Sequence, residues 1–237
     1  MKKLGIIGGL GPMATAYFME LVIKMTKAGK DQDHIKMFLY SIPDAPDRTA
    51  YICGKSKKSP LPHMIKAGRS LIDQKVDFLA IPCVTAQYFY KSLTEELKVP
   101  VIPLVANIAR EIKQKGIKAV GILATQGTIE SQVLQKEFME CGIEVILPSK
   151  EGQAAVMDVI YNQIKAGKPV DLNEFTDVGN ELIDKGAERL IIGCTELSLI
   201  KKEYPLERVY VDILEVLAKN VVEYSGAPLR MEYSDIV

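Results

Sequence analysis

Short apolar runs that stop at glycine or proline alternate along this chain with longer stretches whose apolar residues recur at helical spacing. The runs at residues 3–7, 34–40, 77–81, 101–102, 119–123, 144–147, 189–192 and 209–210 predict strands. The stretches at about 13–28, 61–74, 86–97, 105–115, 128–140, 153–166, 171–185 and 212–224 predict helices. Several strand runs are apolar at successive positions, as in strands covered on both faces. The alternation therefore predicts an α/β fold with mostly parallel sheets flanked by helices. The polar stretch 226–237 is expected to be loosely held.

The pattern also repeats. LIDQKVDFLAIPC at 71–83 aligns without gaps with LIDKGAERLIIGC at 182–194, an offset of 111 residues. GIIGGLGP at 5–12 aligns with GILATQGT at 121–128, an offset of 116. The chain thus reads as two similar α/β/α half-domains. If a pseudo-twofold relates them, the carboxyl edges of their sheets, where ligands bind in open parallel sheets, can face one another across a cleft.

Composition narrows the function classes. The 237 residues carry 30 basic and 30 acidic side chains, a neutral balance that argues against a general nucleic-acid or anionic-membrane binder. No apolar run reaches the roughly 18 residues of a membrane span. The opening strand and glycine turn do not read as a signal peptide. Two histidines and four dispersed cysteines do not form the usual zinc spacings, so no metal site is expected. Cysteines without an export signal fit a reducing cytoplasm.

The repeat places Cys83 after FLAIP and Cys194 after LIIG, each just past the carboxyl end of an apolar strand. Cysteine often only fills space in a core, and Cys53 and Cys141, which have no repeat partner, are read that way. The matched pair reads differently. A thiolate on one side of a carbon can take its proton while a thiol on the other side returns one, the arrangement that stereoinversion by two bases needs. A position between a strand and a helix start favours the thiolate.

The Gly-rich turns Gly8-Gly9-Leu10-Gly11-Pro12 and Ala124-Thr125-Gln126-Gly127-Thr128 each lie between a strand and a helix. Their backbone N–H groups, with the Thr125 and Thr128 hydroxyls, suit a carboxylate; equally, the glycines of the first turn serve a tight bend. The first turn also fits the dinucleotide pattern G-x-G-x-x-A, but Tyr40-Ser41-Ile42-Pro43 stands where that pattern wants an acid. Arg48, after the second strand, can bind a carboxylate bidentately or pair with a surface neighbour. Lys165 ends a helix, where the dipole favours a cation in any case. His34 and His63 read as structural, and no Ser-His-Asp set is evident.

Gly8–Thr15, Pro46–Thr49, Ile81–Ala86, Leu123–Thr128 and Gly193–Leu197 together resemble the aspartate/glutamate racemase family, in its aspartate or broad amino-acid racemase branch. The resemblance spans nearly the whole chain. It implies two α/β domains, 1–103 with 208–237 and 104–207, a mechanism without cofactor, a homodimer, and a small amino-acid or dicarboxylate substrate. It matches Cys83 and Cys194 to the paired acid/base thiols and Arg48 to a carboxylate-binding arginine. It matches Lys165 to a lysine that can reach a distal carboxylate, and Thr85, Thr125, Thr128 and Thr195 to polar positions around the substrate. Four positions depart from the pattern: Val84 where asparagine is common, Gln87 for histidine, and, in the segment before PDRT, Ile42 for asparagine and Asp44 for glutamine. Val84, beside the first thiol, removes an amide and makes the substrate site more apolar than aspartate requires.

The reading favoured by these residues is a cofactor-independent amino-acid racemase acting by two-base proton transfer. Two others stay open: a cysteine-dependent isomerase or decarboxylase of dicarboxylic acids, and a non-catalytic two-lobed amino-acid binding protein. Exchange of an amino acid's α-hydrogen with solvent separates the first from both.

Overall fold

A computed structural model describes residues 1–237, which pack as two compact units, Met1–Leu104 with Leu214–Ile236, and Val105–Ile213. In the first, β1 (Leu4–Gly8) leads through α1 (Pro12–Met25) to β2 (Met37–Ser41), the short α2 (Arg48–Ile52), α3 (Leu61–Asp73), β3 (Phe78–Ala80) and α4 (Tyr90–Leu97). The second runs α5 (Leu104–Gln114), β4 (Ala119–Leu123), α6 (Gln126–Ser131), α7 (Val133–Glu140), β5 (Glu144–Ile146), α8 (Lys150–Asp158), α9 (Leu172–Asp184), β6 (Arg189–Ile192), α10 (Ser198–Glu203) and β7 (Tyr210–Asp212). The last helix, α11 (Ile213–Ser225), returns to the first unit.

The first sheet has the order β2-β1-β3, all parallel, with Leu4 opposite Met37 on one side and Phe78 on the other. β1 is central and buried along its whole length, which its unbroken apolar run anticipates. Met64 and Leu71 of α3 pack with Ile7, Leu79, Leu93 and Phe89, each buried side chain contributing about 1.5–3 kcal/mol. Tyr224 of α11 packs its ring 4.9 Å from that of Phe78, with the Lys2 ammonium 3.8 Å over it.

The second sheet has the order β5-β4-β6-β7, again all parallel. Leu182 and Phe175 of α9 pack with Leu123, Leu190, Ile192 and Tyr210, and the Phe175 and Tyr210 rings stack at 5.5 Å. No helix is long and apolar enough to cross a membrane.

The repeat seen in the sequence holds in three dimensions at the level of single bonds. Leu79 N–H donates to the Pro100 carbonyl at 2.8 Å, and Leu190, 111 residues on, donates to that of Val209 at 2.8 Å. Val101 forms one parallel bridge with Leu79 where Tyr210 pairs with Leu190 in a full strand. The expected strand at 101–102 is therefore a single bridging residue. At the other end of each sheet an acid pins the entry of the central strand. Asp77 accepts from Lys3 N–H at 2.6 Å, and Glu188 from Lys118 N–H at 2.9 Å.

Several expectations are corrected. The helix expected at 128–140 is two, because Gln132 takes a left-handed φ of 57° between α6 and α7. The stretch expected to be one helix at 153–166 is α8 followed by a π-helical turn over Val159–Ile164. The helix expected from 86 starts as a 3-10 turn, Thr85–Phe89. α2 and α10, at five and six residues, are too short to give a periodic signal. The tail is not loose at its start. Lys27 N–H donates to the Pro228 carbonyl at 2.8 Å, Arg230 N–H to that of Met25 at 2.9 Å, and Thr26 bridges Leu229 antiparallel.

Candidate active site

In the first unit the candidate side chains gather at the carboxyl ends of β1, β2 and β3. β1 ends at Gly8, and Gly9 turns with a φ of +81°, open to glycine at little cost. A Cβ there would lie 2.5 Å from the Ile42 nitrogen. The turn is pinned from inside by Thr15, whose hydroxyl accepts from Gly9 N–H at 2.9 Å and donates to the Gly11 carbonyl at 2.8 Å. Pro12 then starts α1, needing no N–H partner.

Arg48 opens α2, where the Asp47 carboxylate caps the helix by accepting from Ala50 N–H at 2.7 Å. Its Nη2 donates to the Leu10 carbonyl at 2.8 Å and its Nη1 to that of Pro46 at 3.3 Å. The buried guanidinium thus braces the glycine turn and brings a fixed positive charge to it. Cys83 lies three residues past β3, buried, its N–H donating to the Ile81 carbonyl at 2.8 Å. The Gln87 amide nitrogen lies 3.5 Å from the Ile81 and Cys83 carbonyls. Val84 and Thr85 are buried, as is Ile42 at the exit of β2.

In the second unit Cys194 follows β6 by two residues and is also buried. Its Sγ–H donates to Glu196 Oε2 at 3.1 Å, and the Thr195 hydroxyl approaches the same oxygen at 3.4 Å. The other carboxylate oxygen, Oε1, is 3.1 Å from the Lys165 ammonium, which also lies 4.9 Å from the Tyr161 ring centroid. Burial, and after it the Glu196 charge, push the Cys194 thiol well above its ordinary range, against the smaller opposing pull of Lys165. Burial works against the Lys165 ammonium. Glu196, Cys194 and Tyr161 outweigh it, so Lys165 holds its proton above the usual lysine range.

Lys165 owes its place to the π-helical turn. Its N–H reaches back five residues to the Ile160 carbonyl at 3.0 Å. Gln163 locks the turn. Its amide nitrogen donates to Asp158 at 3.0 Å and Glu174 at 2.7 Å, and its oxygen accepts from Asp171 N–H at 2.7 Å. The Thr125 hydroxyl caps α6 by accepting from Thr128 N–H at 3.2 Å and lies 3.0 Å from the Thr128 hydroxyl. Thr128 is fully buried beside this cap.

Within the first unit, then, the structure gathers Arg48, Cys83, Val84 and Thr85 at one sheet edge. Within the second it joins Cys194, Thr195 and Lys165, with Thr125 and Thr128 at the end of the neighbouring strand β4. The residue that sequence reasoning passed over is Glu196, which touches three of these groups. The available signal was a carboxylate two residues after a candidate acid/base thiol, just past an apolar strand run.

The family profile of the Asp/Glu/Hydantoin racemases matches residues 7–221. A broad specificity amino-acid racemase, RacX, of Bacillus subtilis is 30% identical over 229 residues, covering 92% of this chain and 96% of that protein. The structure of the Picrophilus torridus aspartate racemase superposes with a TM-score of 0.83 at 28% identity, covering 98% of each chain. The glutamate racemase of Francisella tularensis, solved with D-glutamate, shares the fold at a TM-score of 0.67 and 18% identity, over 94% of this chain and 80% of that one. The two α/β units, the parallel sheets and the motifs at their carboxyl edges accord with these matches, and the chain belongs to the Asp/Glu/Hydantoin racemase family of isomerases.

Proposed function

We propose that this racemase inverts the Cα of an amino acid by two-base proton transfer, with Cys83 and Cys194 acting on opposite faces and no cofactor taking part. The observation that carries the reading is the matched pair of buried thiols, one in each unit, each just past the carboxyl end of a parallel strand. One sulfur, as thiolate, removes the Cα proton. The other, as thiol, delivers a proton to the opposite face. Abstraction leaves carbanion charge spread into the substrate carboxylate. The Arg48 guanidinium and the N–H groups of the glycine turn supply positive potential for that charge. Thr85, Thr125 and Thr195 offer hydroxyls near the same sheet edges, and Val84 and Ile42 make the first unit's contribution apolar. Such a wall suits aspartate and glutamate less than a broader set of amino acids.

The test is proton NMR in D₂O with a panel of L- and D-amino acids. Loss of the Cα–H signal with growth of the opposite enantiomer is expected from the parent enzyme. Cys83→Ala and Cys194→Ala should each lower the rate by a factor on the order of 10²–10⁴ or more. A single variant that racemises at the parent's rate refutes the two-base mechanism. Absence of exchange across the panel from folded, reduced protein refutes the racemase reading itself.

A further inference from the structure

Cys194 is hydrogen-bonded to a buried carboxylate that is itself anchored by an ammonium ion, an array built from the β6 loop and the π-helical turn. A carboxylate can receive an S–H but cannot donate to a thiolate. We propose that Glu196 is a positioning residue that keeps Cys194 protonated between turnovers, making it the resting proton donor of the pair, while Lys165 fixes the carboxylate in place. The assignment rests on the two-thiol reading above. It adds which thiol carries the proton at rest, and why.

The charged groups acting on the Cys194 sulfur are Glu196, two residues along its own loop, and Lys165, at the end of the π-helical turn. Tyr161 on that turn faces Lys165. The carboxylate opposes loss of the thiol proton and the ammonium favours it, with the carboxylate in direct contact with the sulfur. The same contact gives the reverse reaction its path. For Cys194 to act as base, its proton passes from Sγ to Glu196 Oε2, leaving thiolate and a neutral carboxylic acid. The thiolate then takes the Cα proton while Cys83 gives up its own to the other face. The turnover ends with Cys83 as thiolate and Glu196 protonated. Loss of the Glu196 proton to solvent then restores the resting state, Cys83 as thiolate and Cys194 as thiol, and balances the proton that Cys83 took up from solvent before acting as donor.

The test reads the thiol directly, without any substrate. In full-length protein whose other three cysteines are serine, the ultraviolet absorbance of the Cys194 thiolate is followed against pH. Glu196→Gln should move the titration to lower pH, raising the thiolate fraction at neutral pH roughly tenfold. Lys165→Met should move it to higher pH. If Glu196→Gln does not fold, Glu196→Asp, which withdraws the carboxylate from the sulfur while keeping its charge, should give a smaller shift in the same direction. A titration that is unmoved, or moved upward, in the foldable variant overturns the proposal.

In the enzyme with all four cysteines, Glu196→Gln should lower kcat at neutral pH with KM little changed. Part of that kcat should return at lower pH, where Cys194 regains its proton; a purely structural loss would not recover this way. The titration stands or falls whether or not amino acids racemise. A failed racemisation panel with shifted titrations would sink the functional reading alone.

Discussion

The tight passage where the turn after β1 meets the exit of β2 can be tested at Gly9. Gly9→Ala forces an L-residue to a φ of +81°, at about 1–2 kcal/mol. The new Cβ would also sit 2.5 Å from the Ile42 nitrogen, 2.7 Å from the Ser41 hydroxyl and 3.0 Å from the Pro43 nitrogen. Two of these atoms are backbone and cannot swing aside. Relieving the clash must displace the chain whose Ile42 N–H donates to the Gly8 carbonyl at 3.0 Å. Overpacking of about 1–3 kcal/mol and a weakened hydrogen bond of about 1 kcal/mol bring the expected loss to roughly 3–6 kcal/mol. Gly54→Ala is the control. Gly54 has a φ of +69° with nothing within 4 Å of the added Cβ, so only the conformational cost remains, about 1 kcal/mol after the entropy removed from the unfolded chain. Urea unfolding followed by circular dichroism should place the Gly9→Ala midpoint about 1 M below that of Gly54→Ala, with the slope unchanged. Equal midpoints would show that the close approach at Ile42 carries no energy, and the account of the glycine turn would fail.

Thr125→Ala should cost about 1 kcal/mol by removing the α6 cap, and Thr125→Ser should restore most of it; equal stabilities for the two variants would dismiss the cap. Phe175→Ala, which empties a fully packed site against Tyr210, should cost about 3–5 kcal/mol in chemical denaturation, and a loss under 1 kcal/mol would contradict its place in the core. Cys194 and Lys165 both bind their protons more tightly in the folded state than their ordinary values of 9.0 and 10.5. Their contribution to stability is complete below about pH 9 and is lost as pH rises from there. The melting temperature should therefore fall more steeply above pH 9 in the parent protein than in Glu196→Gln, and parallel curves would refute this linkage.

The fold was legible where a local rule ran through a whole element. β1, β4 and the Leu-Ile-Ile run of β6 that follows Arg189 are continuous apolar runs bounded by glycine or a turn, and their residues are buried as such runs require. α3 and α9 carry the repeated leucines Leu71 and Leu182 on their buried faces. The repeat located both candidate thiols because it preserved their spacing from those leucines. What stayed hidden was set by contacts distant in sequence or by backbone detail. Gln132 carries no mark of its left-handed turn, since any residue type that is not β-branched can occupy one at modest cost. The grip of the tail on the end of α1 depends on backbone groups of Pro228 and Arg230, about which composition says nothing. Arg48 shows in the sequence as a cation near a ligand edge. That it braces the Leu10 carbonyl follows only from the chain path, 38 residues apart. Glu196 read as one polar residue among others, because its importance lies in Lys165 being 31 residues upstream on a turn whose geometry helical periodicity does not foresee.

That turn makes the chain's length here as important as its composition. A π-helical turn holds one more residue than an α-helical turn between the same two hydrogen-bonded planes. Each residue of an α-helix advances the chain by roughly 100° around its axis. If the segment closed as ordinary helix with all its residues kept, everything after it would swing by about that angle. Lys165 would leave Glu196 with every residue of the array still present. The extra residue acts as a phase setting. Relatives that keep the lysine, the glutamate and the length of this interval but close it as ordinary helix would carry the same side chains aimed apart.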